Sequence, residues 1–298
     1  MNHVDTAPLT PDALSERIAA LCDRYPSLAR RTLGKSILGR DIPLLLLGRG
    51  KRKLLYVAAH HATEWLTSAL CLAFVGELCE AHEGHMKPYG INVDFLLGGR
   101  MLCFVPMLNP DGVAIHLGIQ EDPLAERRAR MTENGDFSHW QANARGVDLN
   151  HNYSVGFVDY KAGEGALGIT GGAPTRYSGE APESEPETAA LAAFVRTVMP
   201  RLVMSLHTQG EEIYYRGGGR ELAGVRAAAM RLSSLSGYRL GEPEGPAAYG
   251  GLCDYTTAAL GIPSFTVECG RGENPLPPQD APLIYARLRR MLFESITM

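Results

Sequence analysis

The chain has 298 residues, of which 45% are hydrophobic, so it can bury a sizeable core and is not disordered. A formal net charge of −4 with 21% charged residues supplies no global field toward nucleic acid or an anionic membrane. The 33 glycines and 19 prolines mark a loop-rich globular protein and exclude a helical bundle or coiled coil.

Thr10-Pro11 reads as a helix start, a capping hydroxyl followed by a first-turn proline. Leu14, Ile18, Leu21, Cys22 and Tyr25 follow at helical spacing, an N-terminal helical segment within residues 1–30 that packs on the rest. Residues 32–48 read as two strands around Gly39-Arg40, and 54–59 as a buried strand feeding a helix over 64–81. A strand is expected at 101–107, then mainly loops over 109–185, a stretch long enough to form the walls of a site. The pattern continues with a helix at 187–199, a strand at 202–206, a helix at 221–236, a strand at 264–268 and a closing helix at 282–296. This alternation predicts an α/β fold with a largely buried sheet, one domain over 1–298 without repeats or linker.

Six cysteines lie in apolar segments with no CxxC pair, which predicts buried free thiols and a reducing compartment. The first residues lack a basic start and an apolar core, and no apolar run reaches membrane-spanning length, so a cytoplasmic protein is expected. GxSxG, GxxxxGK[ST] and GxGxxG motifs are absent. The histidines of His82-Glu83-Gly84-His85 are too close together for HExxH, and this polar stretch at a predicted helix end reads as a solvated loop.

A different constellation carries chemistry. His61 and Glu64 stand three apart where a buried strand gives way to a helix, so one tight turn points both the same way. A catalytic zinc site needs three protein ligands and one open position. His207, closing the apolar run that begins at Leu202, fits the third place, although a lone strand-end histidine is more often structural. Glu268 ends another apolar strand and fits a base beside the metal. The alternative for it is a charge pair with Arg271, since a buried unpaired carboxylate is costly.

His61-Ala62-Thr63-Glu64-Trp65, Asn109-Pro110-Asp111-Gly112, Gly146-Val147-Asp148-Leu149-Asn150, His207 and Phe265-Thr266-Val267-Glu268 stand in the order seen in zinc metallocarboxypeptidases. The resemblance begins at Gly34-Lys35-Ser36 with Gly39-Arg40 and runs to Glu268. It implies a single domain with a mixed, mostly parallel eight-stranded sheet and helices on both faces. It also implies one zinc per chain on His61, Glu64 and His207, with Glu268 as general base.

The departures narrow the substrate. The family clamps a substrate's terminal carboxylate with an Asn-Arg pair, and here Asn150 is followed by His151, which lacks a permanent charge and a bidentate fork. Gln141 stands where the family carries its oxyanion-stabilising arginine. Arg145 is a nearby cation for that role, or else a structural ion pair. Tyr249 resembles the family's mobile tyrosine, with a packed loop residue as the alternative. Residues 207–214 and 272–277 are similar to bacterial γ-D-glutamyl-L-diamino acid endopeptidases, which cut the γ-D-glutamyl–meso-diaminopimelate bond of peptidoglycan stem peptides. Glu211 or Glu212 and Arg216, Arg220 or Arg271 are candidates to read the charges of that substrate, each otherwise a surface residue.

The expected partner is a small murein-derived peptide, with no nucleic acid and no membrane, while the residues are silent on oligomeric state. Alternatives are a carboxypeptidase acting on ordinary peptides, a zinc amide deacylase on the same fold and a non-catalytic peptide-binding relative.

Overall fold

A computed structural model describes residues 4–119, 122–242, 245 and 249–298. Strands β1 (Leu28–Lys35) and β2 (Asp41–Gly48) form an antiparallel pair around Gly39, whose φ of 81° suits a turn. β3 (Arg52–Ala58), β4 (Arg100–Val105), β5 (Leu202–His207) and β8 (Ser264–Glu268) are parallel neighbours, while β6 (Glu212–Tyr214) and β7 (Arg239–Leu240) complete one edge. The order in the eight-stranded sheet is β1-β2-β4-β3-β5-β8-β6-β7.

The apolar runs in β3 and β5 are buried on both faces, as parallel strands under helical cover must be. Alternate side chains divide between two cores. Leu54, Tyr56 and Ala58 pack with the helices Leu66–Glu83 and Ala281–Ser295, and Leu55 and Val57 pack with the helix Pro186–Val198. The N-terminal helix Pro11–Arg24, capped by Thr10, sends Leu14 and Ile18 into the first core. The segment Ala62–Glu83 is long and apolar enough to cross a membrane by composition, but its apolar window is wholly buried in the fold.

Chain direction explains where the site falls. From β3 the chain crosses to β4 on one side, and later to β5 on the other, so a crevice opens at the carboxyl ends of β3 and β5. His61 follows β3, His207 ends β5 and Glu268 ends β8 opposite His207 in register.

Several predicted boundaries move. β1 begins at Leu28, and the helix expected from 221 begins at Val225, after Gly224 turns the chain with φ 80°. The helix Val93–Gly99 and the short edge strands β6 and β7 carry too few residues for a periodic signal. The described residues of 109–185 are mainly irregular, as expected. They contain the helices Pro110–His116, Ala125–Ala129 and Phe157–Glu164, the first capped by Asn109. Buried side chains pin the irregular parts: Asn152 donates to Ser178 O and Ala181 O, and Glu164 accepts from Ser178 N. The stretch 82–85 is a solvated helix end, as expected, exposed from Glu83 to His85, and His82 and His85 both bond Asp94 at 2.6 Å. All six cysteines are free.

Candidate metal centre

Beyond β3 the chain turns at Ala59, a non-glycine residue at φ 50°, and enters a short 3₁₀ turn, Ala62–Glu64. Thr67 Oγ1 locks this turn by donating to Glu64 O at 2.7 Å and accepting from Ala59 N at 3.0 Å. The Asn109-Pro110-Asp111-Gly112 motif is architectural. Asn109 Nδ2 donates to His60 O and Ala142 O, while its Oδ1 accepts from Gly112 N. Asp111 ties in the β1–β2 turn by accepting from Leu38 N and from Arg40 Nη1 at 2.7 Å.

The turn aims His61 and Glu64 at His207. Their ligand atoms all lie within 4.8 Å of one another. His61 Nδ1 meets Glu64 Oε1 at 2.8 Å and His207 Nδ1 meets Glu64 Oε2 at 3.0 Å. The outward nitrogens are also engaged: His61 Nε2 lies 3.1 Å from Asp148 Oδ1, and His207 Nε2 lies 3.1 Å from Ser205 Oγ. Such outer partners fix ring orientation and leave each Nδ1 facing the Glu64 carboxylate, where it could serve as a ligand atom. Two imidazole nitrogens and a carboxylate oxygen, converging from buried or half-buried residues, suit zinc. Burial opposes charge on these groups, yet the nearby carboxylates raise the His61 pKa and the imidazoles hold Glu64 below its usual range. Asn274 buttresses the ligand turn, donating to Thr208 O at 2.8 Å with its amide 3.5 Å from Glu64 Oε1.

Glu268 shares a cavity of about 500 Å³ with the three ligands, Gln141, Asn150, His151, Arg176, Tyr214, Arg216 and Asp254. It is not paired with Arg271, which bonds Glu211 instead. Burial and then the Glu64 carboxylate raise the Glu268 pKa well above normal, as befits a group placed to hold a proton.

The remaining predicted residues divide. Asn150 and His151 line the cavity, and the His151 ring stacks on Tyr160 with 3.9 Å between centroids while Nδ1 donates to Tyr249 O. Arg145 does not line it. Its guanidinium faces Glu185 at 3.5 Å in a separate pocket, because Asn143 Oδ1 folds the 143–147 turn back by accepting from Arg145 N and Val147 N. The structural ion pair therefore replaces the oxyanion role for Arg145. Arg271 is also outside the cavity, drawn off by Glu211, and Glu212 is held by Arg239. Tyr249 is 44% exposed and meets His151 through its carbonyl rather than its ring. Arg220 donates to Ala258 O away from the cavity, whereas Arg216 lines it but is paired with Glu221 and Glu242.

Asp148, Ser205, Asn274 and Arg176 join the site beyond the residues the sequence nominates. Asp148 and Asn274 lie inside the stretches that carry the resemblance, so the sequence holds a signal for them. Ser205 and Arg176 become visible only when the chain folds.

A mixed α/β sheet with a His-Glu-His centre at its carboxyl edge and a carboxylate beside it defines a mononuclear metallohydrolase. The family model for zinc carboxypeptidases matches residues 14–286, and the chain belongs to that family of metallopeptidases. Gamma-D-glutamyl-L-diamino acid endopeptidase 1 of Lysinibacillus sphaericus is 32% identical over 272 residues, 90% of this chain and 67% of that protein. Among solved structures, thrombin activatable fibrinolysis inhibitor superimposes with a TM-score of 0.75 at 21% identity, over 97% of this chain and 74% of that one. Murein-tripeptide amidase MpaA from Escherichia coli O157 gives 0.55 at 18% identity, over 88% and 91%. At these identities both structures speak to the fold alone.

Proposed function

We propose that this zinc peptidase hydrolyses the γ-D-glutamyl–meso-diaminopimelate bond of small peptidoglycan-derived peptides. The carrying observation is a complete metal and base set beside a clamp position held by His151 in place of arginine. Burial lowers the pKa of that ring, with Asp148 opposing, so the family's usual clamp position itself holds no fixed charge. The Lysinibacillus sphaericus relative, named for γ-D-glutamyl-L-diamino acid endopeptidase activity, supports this substrate class. Six free cysteines support a reducing, cytoplasmic setting.

His61, Glu64 and His207 would hold the ion. Bound zinc supplies Lewis acidity and lowers the pKa of water to about 7. Glu268 takes the proton of the attacking water and returns it to the leaving amine, a role worth about 10²–10⁴ in rate. Asp148 and Ser205 keep the imidazoles aimed, and Asn274 steadies Glu64.

The test incubates zinc-loaded protein with L-Ala-γ-D-Glu-meso-diaminopimelate and follows products by mass spectrometry, with Glu268→Gln as the blank. Release of free diaminopimelate by the wild type alone is the expected result. An intact tripeptide together with release of C-terminal residues from ordinary peptides would overturn the specificity.

A further inference from the structure

The active-site cavity contains an arginine for which the reaction as described has no use. Arg176 lines it, and its guanidinium makes no ion pair among the described residues. The other cavity arginine, Arg216, is spent on Glu221 and Glu242. Arg176 is also held firmly at its backbone, at φ 65°. Its N–H donates to Asp148 Oδ2 at 3.1 Å, and its carbonyl accepts from Tyr160 OH at 3.0 Å.

Both anchors point to one role. Asp148 is the carboxylate whose other oxygen orients His61, so the Arg176 backbone is tied to the metal ligand through a single side chain. Tyr160 is the ring on which His151 stacks, so Arg176 stands on the same wall as the residue that replaces the family's clamping arginine. A guanidinium on this wall offers the permanent charge and paired donors that imidazole lacks.

We propose that Arg176 binds the main-chain carboxylate of the substrate's leaving residue, supplying from residue 176 the cation absent at 151. The proposal deepens the murein-peptide reading by naming the group that recognises the diamino acid, and its test also works on ordinary peptides. The acid and the main-chain amide of L-Ala-γ-D-Glu-meso-diaminopimelate are compared on wild type, Arg176→Gln and Arg176→Lys. A third substrate carries its amide on the diaminopimelate side chain instead.

In the wild type, main-chain amidation lowers kcat/KM by about 10- to 150-fold, the worth of hydrogen bonds to a charged group. In Arg176→Gln the acid falls by a similar factor, the penalty of amidation disappears and Arg176→Lys recovers part of the loss. Isothermal titration of the intact tripeptide into zinc-loaded Glu268→Gln, with and without Arg176→Gln, should show the same ratio in Kd without turnover. An equal loss on acid and main-chain amide would make Arg176 merely structural, and no loss would remove it from recognition. A penalty confined to side-chain amidation would also overturn the assignment. If the wild type ignores the tripeptide but trims ordinary peptides, the murein reading fails. The same acid–amide comparison on those peptides then decides Arg176 separately.

Discussion

Glu187 lies at the start of the helix Pro186–Val198, fully buried, and its carboxyl is pushed up to about 7. Burial is the main cause, with the Asp111 carboxylate adding to it, while hydrogen bonds such as that from Ile37 N at 3.2 Å only partly oppose it. An unfolded carboxyl at 4.5 against a folded one at about 7 corresponds to about 3 kcal/mol, at about 1.4 kcal/mol per pH unit. The sign follows from proton counting. Between these two values the folded chain holds more protons than the unfolded one, so this contribution is full below pH 4.5 and is lost as pH rises through 7. Glu187→Gln removes the penalty of a buried charge, so at pH 8 the variant should be more stable by up to about 3 kcal/mol. The contact with Asn143 Nδ2 at 3.4 Å is lost and costs about 1 kcal/mol of that gain. Urea denaturation of both zinc-loaded proteins from pH 5 to 8 measures the difference, and titrations elsewhere in the molecule cancel in the comparison. Parallel stability profiles for the two would refute a charge-burying Glu187.

Asp148→Asn should weaken zinc binding by about 10- to 100-fold through loss of the carboxylate that orients His61, as read by competition with a chelator. Gly112→Ala should destabilise by about 1–3 kcal/mol or more, because its Cβ would lie 2.3 Å from Ala142 O and 2.5 Å from the capping amide of Asn109; thermal melting checks this. His151→Arg should raise kcat/KM on ordinary C-terminal peptides, since a second fixed charge would join Arg176 on that wall. An unchanged value in a panel of peptide acids would show that carboxylate recognition is already saturated.

The metal centre was readable before folding because its parts sit at strand ends. The runs before His61, His207 and Glu268 are short and apolar, and a polar residue closing such a run must face a crevice or be paired. The parallel core was readable for the same reason. Arg145 was not, because the sequence places it beside the GVD motif while the turn made by Asn143 sends its side chain to Glu185. Arg176 is not legible, because nothing in Pro174-Thr175-Arg176-Tyr177 marks that its N–H will seek Asp148, 28 residues earlier. β6 and β7, at three and two residues, exist only as additions to an edge already formed.

The reactive side chains and the cavity walls come from different kinds of chain. His61, His207 and Glu268 hang from three adjacent strand ends whose spacing is set by backbone hydrogen bonds, whereas Asn150, His151 and Arg176 lie in the irregular parts on either side of the helix Phe157–Glu164, pinned by buried side chains. The metal ligands and the cavity wall are thus written in different passages of the gene. Because the Arg176 N–H also steadies Asp148, and through it His61, exchanging the stretch from 150 to 180 between relatives would carry the wall across and register in metal affinity as well.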